Sequence, residues 1–439
     1  MTTTAEKSMQ YAPDIPFSPD SDSNPDSSAE SSPDHPPDGG LDAWTQVLWC
    51  HLTVCNTWGY LNAFGVFQTY YARTLPVPAS TISWIGSVQA FLLFFMAVLS
   101  GRASDAGYFK TVWATGAFLT LLGLFMASLA TSYWQLLLSQ GVALGLGGGL
   151  MFCPVLALIP QYFSRNRALA IGVNASGSCT GGLVLTVIAQ RLLPRIGLAW
   201  TLRVLGLFSF CTLLPPLLFL KPRIPPQKNH GPRRPLVDWS AFRDNTYVLF
   251  AVGMFFTFWG LYIAFFYVSS FGTDIIGVDQ TTSVNMLLIM NGVGYPARIL
   301  PNLAADRFKY AGPINLIVPS IFLAGVLLFT WIAVHNHGGL YAFSVVYGLV
   351  SAAVQSLYPA AANSLTVDLR VVGVRTGMIL TIVSFAALTG EPIAGALMAR
   401  DNGGYLYAQV FAAGSTLVGG VFVAAARVKR VGFRLRERM

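Results

Sequence analysis

From Trp44 onward, apolar runs of about 20 residues alternate with short polar gaps. A run of that length, wound as a helix, crosses a hydrocarbon core of roughly 30 Å. Twelve such spans are predicted, near 45–71, 81–100, 111–130, 135–159, 168–192, 199–220, 246–269, 281–302, 312–334, 340–364, 375–398 and 406–426. They are rich in Gly and Pro, which helices in a bilayer tolerate better than soluble helices do. The predicted fold class is an all-α membrane protein with twelve transmembrane helices in two six-helix halves. The halves would cover 44–220 and 246–426, joined by a central loop at 221–245. An acidic tail (1–43) would precede them and a basic tail (427–439) would follow. Residues 1–37 are rich in Ser, Pro and Asp and lack apolar periodicity, so disorder is expected there. They have neither the basic start nor the apolar stretch of a signal peptide.

Composition agrees with the pattern. Of 439 residues, 54% are apolar and 10% charged, where a soluble domain carries about 25% charged residues. A soluble fold could not cover 30 Phe, 17 Tyr and 10 Trp with so few charges. Water-soluble enzymes, nucleic-acid binders and disulfide-built secreted domains are excluded. The five cysteines, Cys50, Cys55, Cys153, Cys179 and Cys211, fall in apolar segments without CxxC spacing. They read as small buried hydrophobes, not as a disulfide framework or zinc site.

The net charge of +8 is unevenly spread. Residues 1–43 hold nine acids and one base. With the N-terminus in the cytosol, 21 Lys/Arg lie in cytosolic loops and tails and four in external loops (Arg73, Arg191, Arg195, Arg400). That bias predicts that both termini are cytosolic, which requires an even number of spans. The bases of the central loop (Lys221, Arg223, Lys228, Arg233, Arg234) and of the C-terminal tail could be anionic-lipid sites or ordinary positive-inside anchors.

The two halves share features. Pro154 precedes Gly172 by 18 residues, and Pro359 precedes Gly377 by 18, with basic loops between (Arg165 and Arg167; Arg370 and Arg375). The segment Gly101–Gly107 after the second span is matched by Leu303–Arg307 after the eighth. Parallel repeats of six spans resemble the plan of the major facilitator transporters. The Gly101–Asp105 loop is similar to that family's loop between spans two and three, which pairs charges across the cytosolic face and gates the halves. The resemblance implies a gating role for Arg102, Asp105 and Lys110, with Asp306 and Arg307 as the second-half copy.

Two segments narrow the resemblance. Asp38-Gly39-Gly40-Leu41-Asp42-Ala43-Trp44 resembles the acidic-Gly-Gly-aromatic motif that precedes span one in monocarboxylate porters. Leu41 stands where a Trp is usual, and one residue is inserted before Trp44. The run Tyr162-Phe163-Ser164-Arg165-Asn166-Arg167-Ala168-Leu169-Ala170-Ile171-Gly172 resembles their span-five motif. The chain looks most like the fungal monocarboxylate-permease branch, over about residues 38–426.

Arg298 lies in an otherwise apolar run, Leu287 to Leu303. A guanidinium in hydrocarbon is costly, so it is expected to face the cavity between the halves. In the resembled family an Arg at this place pairs with a substrate carboxylate, and the planar fork suits bidentate carboxylate binding. A structural ion pair and an interfacial position are the alternatives. Porters of that family often carry an acid one turn earlier, where this chain has Gly294, and a Lys deep in span one, where it has Asn62. Both departures speak against simple proton–lactate symport and toward a larger, less charged substrate.

Glu391 is the other intramembrane charge, expected in the outer half of span eleven. It could carry a coupled proton or serve at the interface. Candidate cavity-lining polar residues are Asn56, Asn62, Gln68, Gln89, Asn174, Asn291, Gln355 and Asn363, with interhelical hydrogen bonding as the alternative use. Among these, Asn62, Asn174, Asn291 and Gln355 join Arg298 as expected substrate contacts. The aromatic run Phe255–Trp259 with Tyr262, Phe265, Phe266 and Tyr267 reads as lipid-facing packing, or as a wall for a planar ligand where it meets the cavity. Gly145, Gly147, Gly148 and Gly149 sit inside a span with no GK[ST], so they read as close helix packing. His335-Asn336-His337 reads as an external loop, and His51 is ambiguous.

No catalytic residue, metal site, cofactor, nucleic-acid partner or protein partner is expected. The expected activity is secondary active transport of a small organic acid or acidic natural product by alternating access, leaning to efflux of a fungal secondary metabolite. A proton would be the possible coupling partner, the bilayer the solvent, and the plasma membrane the expected location. The alternatives are a proton-coupled monocarboxylate importer and a non-transporting nutrient receptor.

Overall fold

The computed structural model describes residues 36–223, 237–308, 310–366 and 371–432. The tail expected to be disordered, the loop bases Lys228, Arg233 and Arg234, and Arg370 lie outside the described residues, apart from Pro36 and Pro37.

Every regular element among the described residues is helical. Eight helical stretches are long and apolar enough to cross a membrane. Two of these hold two spans each, because the helix geometry breaks at a glycine with positive φ and the chain reverses. Thr81–Ala127 breaks at Gly107 (φ +95°) and Arg167–Phe219 at Gly197 (φ +72°). Only glycine enters that region of backbone space without a Cβ penalty. Two further membrane-length helices, Leu41–Thr74 and Gln280–Arg307, are too polar to qualify on apolarity alone. Together these give the twelve spans of the fold.

The spans run as follows. Span 1 is Leu41–Thr74, span 2 is Ala79–Phe95 with Ala97–Ala103, and span 3 is Phe109–Ala127. Span 4 begins at Tyr133–Leu136, widens over Leu137–Ala143 and continues through Leu144–Leu158. Span 5 is Arg167–Ala175 continued from Gly177, and span 6 is 198–219. Span 7 is Asn245–Leu261 with Ile263–Phe271, span 8 is Gln280–Arg307, and span 9 is Pro313–Thr330. Spans 10, 11 and 12 are His337–Ser364, Val372–Arg400 and Leu406–Val431.

Small residues let these helices approach closely, as expected where lipid supplies no hydrophobic drive between them. A Cβ on Gly147 would lie 2.7 Å from the Gly116 carbonyl, and one on Gly149 at 2.7 Å from that of Leu92. The glycine cluster of span 4 thus presses against spans 2 and 3.

Two expectations are corrected. Cys211 is exposed on the outside of span 6, unlike the other four cysteines. The aromatic run of span 7 is not mainly a lipid face: Phe258 and Tyr262 are buried, and Phe258 meets Tyr358 of span 10 at 5.2 Å between ring centroids.

Candidate functional site

At the middle of the molecule, span 8 presents Arg298 to the seam between the halves. Arg298 is 4% exposed. Its Nη2 donates to Gln355 Oε1 of span 10 at 2.8 Å, and its Nη1 donates to Cys179 Sγ of span 5. Among the described residues no carboxylate lies within ion-pair distance of it. A buried guanidinium with only neutral partners is far from satisfied, since a buried charge normally demands an opposite charge. Gly294, one turn earlier, makes room for this head group: a Cβ there would sit 3.0 Å from Nη1.

A second polar layer lies beside it. Asn62 of span 1 donates to Asn291 Oδ1 of span 8 and to the Ser178 carbonyl of span 5, each at 3.2 Å. Asn291 also donates to the Leu287 carbonyl. This crossing depends on Gly182, whose Cβ would fall 2.7 Å from Asn291 Oδ1.

From Asn62 a narrow, mostly apolar cavity extends away from the chain termini. Asn62, Gln68, Leu287 and Glu391 contribute to its wall, with aromatic rings from spans 1, 2 and 7. Glu391 is 3% exposed, and its Oε2 has no hydrogen-bond partner among the described residues.

The structure therefore brings Arg298, Gln355, Asn62 and Asn291 together, with Glu391 lining the adjoining cavity. Asn174 does not join them: it is fully buried, neither amide atom finds a partner among the described residues, and it is absent from the cavity wall. Asn56 binds Thr212 and the Leu52 carbonyl, as interhelical glue. Asn363 belongs to the closure near the termini, accepting from Thr376 and, through its carbonyl, from Arg167. His51 ties span 1 to span 5 through the Val173 carbonyl and Thr180. Cys179 and Gly182 also belong to this centre, although neither residue type announces a polar site. The run Gly177-Ser-Cys-Thr-Gly-Gly182 carries their signal in the sequence, since such small residues mark a close helix crossing.

At the end bearing the termini the halves are closed by a repeated device. Asp306, ending span 8, accepts the backbone N–H of Leu169 in the first turn of span 5 at 2.7 Å. Asp105, after span 2, accepts that of Val374 in the first turn of span 11 at 3.1 Å. Each carboxylate meets free N–H groups and the positive end of a helix dipole. Gly172 seats span 5 on the Arg298 carbonyl, and Gly377 seats span 11 on that of Ala97, with would-be Cβ distances of 2.6 Å each. The basic residues expected at this loop lie around these contacts. Lys110 and Arg307 are exposed and make no ion pair among the described residues, while Arg102 is half-buried. Both acids thus meet helix ends, which are fixed in place.

The two sequence motifs near this end bind one another. Asp38 accepts the N–H groups of Ser164 and Arg165, both at 2.5 Å, and donates its own N–H to the Tyr162 carbonyl at 3.1 Å. Trp44 meets Phe163 edge-on at 5.1 Å. Gly39 carries the chain to Gly40 (φ +87°), where span 1 begins. Tyr162 donates to the Lys221 carbonyl, tying this knot to the central loop. In that loop Asp238 accepts from Arg375 Nε at 2.8 Å. Partial burial pushes the Asp238 carboxyl up, but hydrogen bonds from Ser240 and Arg375 and the Arg375 charge outweigh it and hold it below its ordinary value.

The family model described as the Major Facilitator Superfamily matches residues 50–368. An MFS-type transporter of Gibberella zeae is 43% identical over 95% of this chain and 93% of its own length. The aspyridones efflux protein of Emericella nidulans is 32% identical over 92% of this chain and 81% of its own. The agnestins efflux protein of Paecilomyces divaricatus is 35% identical over 86% and 85%. Among solved structures, the human organic anion transporter TETRAN superposes with a TM-score of 0.67 at 14% identity, covering 88% of this chain and 100% of that one.

Proposed function

Because the chain belongs to the major facilitator superfamily of transporters, we propose that it exports a small organic acid, most simply an acidic secondary metabolite, by alternating access. It is a transporter and not an enzyme. The observation that carries the reading is Arg298: a buried cation at the seam of the halves, held by Gln355 and Cys179 with no carboxylate in ion-pair reach among the described residues. An incoming acid supplies the missing charge in a water-poor site, where the pairing is strong. Asn62 and Asn291 lie beside the acid's path, and Glu391 carries the coupled proton along the cavity.

Gly294 and Asn62 support a larger solute over a simple monocarboxylate. They leave Arg298 as the one cation among the residues that meet at this centre. The efflux proteins among the relatives support the outward direction. The knot between Asp38 and Ser164–Arg165 supports placement in the monocarboxylate-porter-like branch, since it joins both motifs of that resemblance. The distribution of Lys and Arg supports cytosolic termini in a plasma-membrane protein. In that orientation the Asp105 and Asp306 contacts close the cytosolic side. Rocking the halves releases both helix ends together and opens the centre to the cytosol.

The test is mass spectrometry of small molecules inside and outside source cells, with and without this gene. Deletion is expected to trap an acidic metabolite inside. A carboxylate left unconsumed in the medium makes the protein an importer and overturns the reading.

A further inference from the structure

The cavity beyond Asn62 has a chemistry that the acid anchor does not use. Its wall carries Phe64, Phe94, Tyr262, Phe265 and Phe266, and its single carboxylate is Glu391. The rings form an ordered stack: Tyr262 lies parallel to Trp58 at 6.0 Å, and Trp58 meets Phe94 edge-on at 5.1 Å. Tyr262 shares this wall with Glu391. Among the described residues Glu391 and Arg298 form no ion pair with each other. Glu391 Oε2 is buried with no partner among the described residues, although leaving a buried polar atom unsatisfied is costly. Its backbone carbonyl is held by Tyr267 at 3.0 Å, and Trp259 donates to Thr389 two residues before it, so the segment is fixed in place.

Resting on the assignment of Arg298 as acid anchor, we propose that this compartment is a second subsite that takes an aromatic ring bearing a phenolic or enolic hydroxyl, which donates to Glu391. The substrate class is then a hydroxylated aromatic acid, gripped at both ends. Rings of the wall offer offset and edge-on stacking to the ligand's body. A neutral hydroxyl suits this apolar setting better than an ammonium, whose desolvation is far more expensive. A hydroxyl-reading site also rejects the analogue lacking the hydroxyl, because its own polar atom stays unpaired.

The test uses the purified full chain in lipid nanodiscs and two matched pairs of probes, benzoate with 4-hydroxybenzoate and cinnamate with 4-hydroxycinnamate. In at least one pair the hydroxylated acid is expected to bind the natural protein roughly tenfold tighter. Glu391→Met should erase that preference, and Glu391→Gln, which keeps an acceptor, should retain it. Equal binding within both pairs by the natural protein overturns the subsite, as does a preference that survives Glu391→Met. Arg298→Ala separates the two readings: it should weaken all four acids alike, and unchanged binding defeats the anchor. Failure of all four to bind the natural protein counts against both.

Discussion

Asn62 donates to Asn291 at 3.2 Å, and this bond joins the first half of the chain to the second. Its two helices, Leu41–Thr74 and Gln280–Arg307, are the two membrane-length helices that fall short on apolarity. Their polar positions are turned inward: Asn56, Asn291, Arg298 and Asn302 are all buried. Helices that look least suited to lipid are those whose polar groups other helices satisfy. The weakness of their hydropathy signal and the location of the site have one cause.

Gly182 sets the spacing of that contact. In Gly182→Ala the new Cβ would stand 2.7 Å from Asn291 Oδ1 and 3.1 Å from Asn62 Cβ, so span 5 must shift. Overpacking of this kind costs about 1–3 kcal/mol. The expected outcome is a melting temperature lowered by several degrees with transport reduced more than tenfold, measured by thermal unfolding and by flux in proteoliposomes. Wild-type flux would show that the Asn62–Asn291 bond is dispensable.

Replacing Arg298 separates anchoring from folding. Arg298→Lys keeps a positive charge but loses the planar fork, and Arg298→Ala loses both. Hydrogen bonds to charged groups contribute about 1.5–3 kcal/mol, so apparent affinity for the acid should fall roughly ten- to hundredfold in Arg298→Ala. The lysine variant should fall between. Competition binding with a series of acids measures both.

The closure at the terminus-bearing end can be read through a native thiol. Cys153 is fully buried in span 4 and faces the Gly373 carbonyl at 3.7 Å, beside the Asp105–Val374 contact. Asp105→Ala should loosen this end, and the labelling rate of Cys153 by a membrane-permeant maleimide should rise severalfold. Gly373→Ala should do the same, because its Cβ would meet the Asp105 carboxylate. Asp306→Ala tests the matching contact at span 5. Unchanged labelling in all three variants would show that these contacts do not hold the end closed.

The knot at Asp38 should matter for stability before transport. Asp38→Ala removes the acceptor for two backbone N–H groups, each a charge-assisted bond of about 1.5–3 kcal/mol when well formed. Its partial exposure lowers that value through solvent competition. A melting temperature lowered by a few degrees is expected, with Asp38→Asn milder because it keeps one acceptor oxygen.

Much of this fold was legible because lipid imposes length and apolarity on every span. The pairs Pro154–Gly172 and Pro359–Gly377 also foreshadowed the matched seating of spans 5 and 11. Other features depend on contacts no spacing encodes. Asp38 and Ser164 are 126 residues apart, so two motifs read separately could not announce that they bind each other. Asp105 and Asp306 read as members of side-chain charge pairs, and their contacts with backbone N–H groups stay hidden because every sequence has such groups and none displays them. Asn174 and Asn363 resembled cavity residues because the residue type does not tell which neighbour a helix rotation selects.

Efflux by cells lacking the natural gene and carrying either the wild-type chain or Arg298→Ala at equal surface abundance tests the transport assignment most directly. Wild type should restore release of the trapped acidic metabolite, and Arg298→Ala should release it at no more than about a tenth of that rate, as expected for loss of a charge-assisted anchor. Equal release by both would contradict the role given to Arg298 and, with it, the reading of the central site.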